Sequence, residues 1–229
     1  MNFNFNSLSE TSYVSNSGQY LRPYDIYKVN LTKIEKTVVK GKDGTEYPVV
    51  GLEFAGCGDV KGAFTANLFI PYSEKDMERP TFKNNEGHEY NRPSSFENFQ
   101  YTLMQIVHAL NPVGEEKIKA NASKIKTIDQ FVDLIIKALT GKESVETYLK
   151  LVGRTNEGTV YAALPSACGL NKKGEIFATN FIGEEKDLFF SNYELTQQKA
   201  YRNAKPTNMD KKEEKSDDDD ALDIDDIEV

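Results

Sequence analysis

Two histidines and two cysteines are the usual first candidates for a base and a nucleophile, and their positions argue against catalysis. His88 lies in a polar stretch and His108 on an amphipathic one, where a lone histidine is far more often structural than catalytic. Neither completes a Ser/His/Asp order or a Cys/His pair, so no activated nucleophile is assembled. Cys57 and Cys168 have no partner at metal-ligand spacing, and two cysteines make no disulfide framework. Gly56-Cys57-Gly58-Asp59-Val60-Lys61-Gly62 lacks the spacing of a phosphate loop and joins two strand-like segments instead of opening a helix. Glu115-Glu116-Lys117 and Glu184-Glu185-Lys186 match half of some nuclease sites, but no positioned upstream Asp accompanies them. The expectation is a chain with no enzymatic activity, no cofactor and no metal.

A binding chemistry is better represented. Lys33 and Lys36 read as outward positions of a first strand, and Lys40 and Lys42 sit in the turn after it. Phe69 stands opposite the inward set of a third strand, with Tyr72 just beyond. Tyr148, Lys150 and Arg154 share one parity, Tyr161 follows on the next strand, and Lys172 and Lys173 precede Phe177. Cations that follow phosphates beside rings on which bases stack are what a single nucleic-acid strand requires. Each such stack is worth about 1–3 kcal/mol with little regard to sequence.

The elements that must place these side chains follow from periodicity. Tyr24 to Lys36 alternates, with Tyr27, Val29 and Leu31 on one face, then slips register to reach Ile34, which predicts a long strand with a bulge. An Asp43-Gly44 turn leads to a strand with Val50, Leu52 and Phe54 inward, and Phe64, Ala66, Leu68 and Ile70 mark a third. Residues 71–93 read as a long loop. Ser94-x-x-Glu97 fits a capping box for a helix ended by Asn111-Pro112, and Thr127 with Gln130 starts a second helix that stops before Gly141. Strands resume at 147–154, 159–164 and 175–182. Three strands, a helical excursion and two or three more strands is the order of an OB-fold barrel. The fold class expected is therefore mainly β with a helical insertion, an OB-fold-like barrel of five to six strands with two helices between strands three and four. A generic α+β sandwich has a similar order.

The chain has 229 residues and a net charge of −8. Residues 210–229 hold eleven acids and three lysines, which is the whole of that excess. Removing them from the 36 acidic and 28 basic residues leaves 25 of each, so the body is neutral. A like-charge block this dense reads as a disordered interaction tail. Its acids alternate with Leu222, Ile224, Ile227 and Val229, which a docking peptide needs and a pure solubility tail does not. The predicted organisation is a polar, flexible start (1–19), a nucleic-acid-binding domain (20–190, helical insertion about 94–141) and a linker with the acidic tail (191–229). No apolar run is long enough to span a bilayer, and the first residues lack a basic n-region. A soluble protein of the cytoplasm is expected.

This order, followed by Asp217-Asp218-Asp219-Asp220-Ala221-Leu222-Asp223-Ile224-Asp225-Asp226-Ile227-Glu228-Val229, resembles the single-stranded DNA-binding proteins of bacteria and their phages. In the bacterial family the acidic tail closes on Ile-Pro-Phe and docks replication and repair proteins. Here Ile227 and Val229 stand in place of that aromatic end, and the long helical insertion looks like the larger phage versions. The resemblance implies a protein that coats and protects single-stranded DNA in phage replication, recombination or repair. It also implies recruitment of protein partners through Asp217, Asp218, Asp219, Asp220, Leu222, Ile224, Ile227 and Val229. RNA as a ligand and homo-oligomerisation are left open. The rival expectation is a protein-interaction or virion-assembly module whose body never touches DNA.

Overall fold

The computed structural model describes residues 20–84, 86–156 and 158–203. The predicted N-terminal segment and acidic tail lie outside them. Strand β1 (Asp25–Lys40) is long enough to serve two neighbours. Its second half pairs antiparallel with β2 (Glu46–Gly56), and its first half, Asp25–Asn30, pairs with β6 (Glu146–Asn156). The register shifts between Leu31 and Lys33, where the slip in periodicity predicts the bulge. Strand β3 (Ala63–Phe69) adds to β2. Strand β7 (Thr159–Ala163) and the short β10 (Ile182–Gly183) add to β6. The result is a six-stranded, mainly antiparallel sheet in the order β10-β6-β1-β2-β3, with β7 also on β6. No ladder among the described residues joins β3 to β7, so the sheet is open where a barrel was expected.

One face of this sheet is the core face. Ladder partners share a face, so Val29, Leu31 and Ile34 lie with Val50, Leu52, Phe54, Phe64, Thr147 and Leu149. Val29, Val50, Phe54 and Leu149 are fully buried there. Against this face pack α1 (Ser95–Leu110) and α3 (Ile128–Leu139), through Leu103, Ile106, Val107, Phe131 and Ile135. Both helices start at the predicted capping boxes: Ser94 accepts from Glu97 N–H and Thr127 from Gln130 N–H.

Several elements depart from expectation. Asn111-Pro112 does not only end α1. It also opens α2 (Pro112–Ala120), because the Asn111 side chain accepts from Gly114 N–H at 3.0 Å and Pro112 occupies the first helical position. The expected loop 71–93 contains a hairpin, β4 (Thr81–Lys83) with β5 (Glu89–Asn91), whose Phe82 and Tyr90 rings stack beneath the Arg92 guanidinium. The expected strand 175–182 is broken. Its first part is β9 (Ile176–Ala178), paired with β8 (Cys168–Leu170), and its end is β10. The stretch after Ser191, expected as a polar linker, forms α4 (Asn192–Asn203) and packs on β6. No helix among the described residues is long and apolar enough to cross a membrane.

Candidate nucleic-acid interface

The face opposite the core is set by the same register. After the bulge, β1 turns Lys33, Glu35, Thr37 and Val39 away from α1 and α3. Their ladder partners on β2 are Glu53, Gly51, Val49 and Tyr47, and Phe69 of β3 lies opposite Val49. Tyr47 and Phe69 are half-buried and meet edge to face at 6.0 Å between ring centroids. Tyr47 is the residue the sequence reading passed over. Its signal was present, since the parity that turns Val50, Leu52 and Phe54 inward turns Tyr47 outward. The Tyr47 ring lies over Gly41 of the β1–β2 turn, which also carries Lys42, whereas Lys40 takes the opposite parity and corrects the expectation of a cation beside the rings.

On β6, the outward parity carries Tyr148, Lys150 and Arg154, and Arg154 is laddered to the exposed Tyr161 of β7. Lys33, Phe69, Tyr148, Lys150, Arg154 and Tyr161 therefore share the outer side of the strands with Tyr47. Lys150 corrects the expectation of an exposed cation: it is 1% exposed and covered by the segment leading into α4.

The remaining expected contacts lie elsewhere. Lys36 was expected outward, but the bulge at Thr32 reverses the parity and places it on the helix side. There it pairs with Asp129 of α3, which also accepts from the Tyr72 hydroxyl at 2.6 Å. That shared hydrogen bonding holds the Asp129 carboxyl below its usual range. Lys172, Lys173 and Phe177 belong to the β8–β9 hairpin, which α1 holds on the helix side of the sheet. Asn98 accepts from Cys168 N–H at 3.1 Å, and Gln105 donates to Thr179 O at 2.8 Å. The Phe177 ring lies over Gly169, where a Cβ would come within 2.9 Å of it.

Two cations of the outer face have acid partners: Lys33 pairs with Glu35 at 2.7 Å and Lys28 pairs with Glu146. These are exposed pairs worth little each, and a polyanion of high charge density can outcompete them.

A groove of about 650 Å³ lies on the helix side, between α1, α2 and β10. It gathers Glu115 and Glu184, one acid from each nuclease-like triplet. Their partners are already present: Lys119 at 2.8 Å and His108 at 2.7 Å for Glu115, and Lys186 at 2.6 Å for Glu184. No group of three or more His, Cys, Asp or Glu among the described residues is placed to hold a metal ion. Cys168 is buried, which pushes its thiol up to about 11, so it is not a thiolate at neutral pH.

Two carboxylates on the helices, the half-buried Glu97 and the buried Glu115, carry a pH signature. Burial raises the Glu97 carboxyl, but hydrogen bonds from Arg79 and from Ser94 N–H outweigh it and leave it depressed. Glu115 behaves the same way, its burial outweighed by Lys119 and His108. A depressed folded-state value gives stability that is present above the unfolded carboxylate range and lost as pH falls through the folded one. Thermal melts should therefore drop as pH falls below about 4.5, and Glu97→Gln should flatten that dependence. An unchanged slope in the variant would remove Glu97 from the account.

No protein-family model, no curated protein and no solved structure matches this chain.

Proposed function

We propose that this chain is a non-enzymatic, sequence-tolerant single-stranded DNA-binding protein of the phage type, with an OB-like body whose acidic C-terminal segment recruits protein partners. The observation that carries this reading is the Tyr47–Phe69 pair. It sits on the sheet face away from α1, α2 and α3, next to the β1–β2 turn that carries Lys42, with Lys33 on the same face further along β1. Such a combination of rings and cations suits stacked bases and their phosphates. The OB-like reading is supported by β1, which bends at a bulge and serves β2 with one half and β6 with the other. It is also supported by helices inserted between β3 and β6.

A titration of the full chain with poly-dT tests this directly. The protein contains no Trp, so quenching of Tyr emission reports binding. Affinity should fall steeply between low and physiological salt, because phosphate neutralisation releases counterions. Double-stranded DNA should bind more weakly at both salts. No quenching at low salt would end the proposal.

A second reading, a protein-interaction or virion-assembly module, is favoured by the outer face, where Lys28 and Lys33 each have an acid partner. The same titration separates the two.

A further inference from the structure

Helix α4 is docked in an inverted sense. None of its residues is buried, and the largest apolar side chains around its start face water: Phe189 is 72% exposed and Tyr193 74%. What it buries instead is a lysine. Lys150 Nζ donates to Phe189 O at 2.9 Å and to the Glu194 carboxylate at 3.1 and 3.3 Å, with the Phe190 ring 5.4 Å away. A helix docked permanently for stability would cover an apolar residue here, since a buried ion pair is often no better than packed hydrocarbon.

The second foothold of α4 is also unusual. Gln198 donates to Tyr24 O at 2.6 Å, and Tyr201 packs on the Tyr24 ring at 5.8 Å. Tyr24 has φ +61°, a left-handed conformation that costs a bulky residue energy. Its ring crosses Gly153 of β6 so closely that a Cβ there would sit 2.4 Å away. The helix thus rests on a desolvated cation and on a residue in a left-handed conformation, and its departure would return Lys150 to water.

We propose that α4 is a releasable strap over a second phosphate-binding strip. The strip comprises Lys150 and Arg154 with Tyr148 between strand neighbours on the outer face of β6. Glu194 occupies the place of a phosphate. A single-stranded DNA backbone replaces one monoanion at Lys150 with another, so the exchange leaves no buried charge unpaired. Arg154, exposed on the same parity four residues and about 13 Å further along β6, receives a phosphate beyond the next one. This deepens the single-stranded DNA reading and rests on it.

The test uses the full chain and a labelled oligo-dT followed by anisotropy. Glu194→Gln weakens the strap and should tighten binding about fivefold or more. Adding Lys150→Met should abolish that gain. If the wild type binds but Glu194→Gln leaves affinity unchanged, the strap is overturned and the DNA reading stands. If neither binds, both fall. If only Glu194→Gln binds, the strap is supported. Hydrogen exchange of the unsubstituted chain gives an independent readout that does not depend on a variant folding. Amides of 192–203 should exchange faster with oligo-dT bound, and slower or unchanged exchange overturns the strap.

Discussion

Replacing Tyr47 and Phe69 together by leucine is expected to weaken oligo-dT binding by about 100-fold, while Phe177→Leu changes it less than about twofold. The three rings have similar chemistry, but Phe177 is 46% exposed while Tyr47 and Phe69 are half-buried, so exposure alone would favour Phe177 and the contrast reports position. Tyr47 and Phe69 lie together on the outer face of β2 and β3, whereas Phe177 sits on a hairpin tied to α1 on the helix side. Leucine keeps most of the apolar contact with the sheet, so the melting temperature should change little and loss of affinity reports loss of stacking. Each stack contributes about 1–3 kcal/mol, and two lost together give the stated factor. Equal losses at Phe177 and at the pair would mean that DNA follows a path the outer face does not define.

Gln105→Leu should destabilise the fold by about 2–5 kcal/mol although it conserves volume. Gln105 projects from α1 into the connection that leads from β7 to β10. Its amide donates to Ala167 O at 3.2 Å and Thr179 O at 2.8 Å, and its oxygen lies 3.3 Å from Phe181 N–H. Ala167 O keeps a second donor, Thr179 N–H at 2.8 Å, but Thr179 O and Phe181 N–H lose the partner this side chain provides. Unpaired buried backbone groups cost about 1–3 kcal/mol each. Phe181 is fully buried and its carbonyl accepts from Lys150 N–H at 2.8 Å, so the damage should spread to the edge of β6. Thermal or denaturant unfolding checks this, and a loss below about 0.5 kcal/mol would show that the segment is held without Gln105.

The sequence by itself determined the local geometry of the sheet and of two helices. The slip from Leu31 to Ile34 encodes the bulge, since alternation in a strand is a direct record of which side is buried. The pairs Ser94/Glu97 and Thr127/Gln130 encode two helix starts, since a cap satisfies backbone donors within one turn. The same local rule, carried past the bulge, would have placed Tyr47 on the outer face and Lys36 on the inner one.

Only the tertiary structure decided what lies on each face. Periodicity turns Lys150 outward correctly, yet nothing local to β6 says that a helix forty residues later in the chain covers it with Glu194 at 3.1 Å. Phe177 and Lys173 alternate as an exposed strand should, but long-range hydrogen bonds from Asn98 and Gln105 put their hairpin on the helix side, away from the other rings. Whether the strands close is likewise a matter of edges meeting across the chain, and the absence of a β3–β7 ladder among the described residues follows from pairings that no single segment contains. Short-range order is written in spacing. Which charges and rings share a surface depends on contacts between distant segments, whose partners are interchangeable until the core has formed.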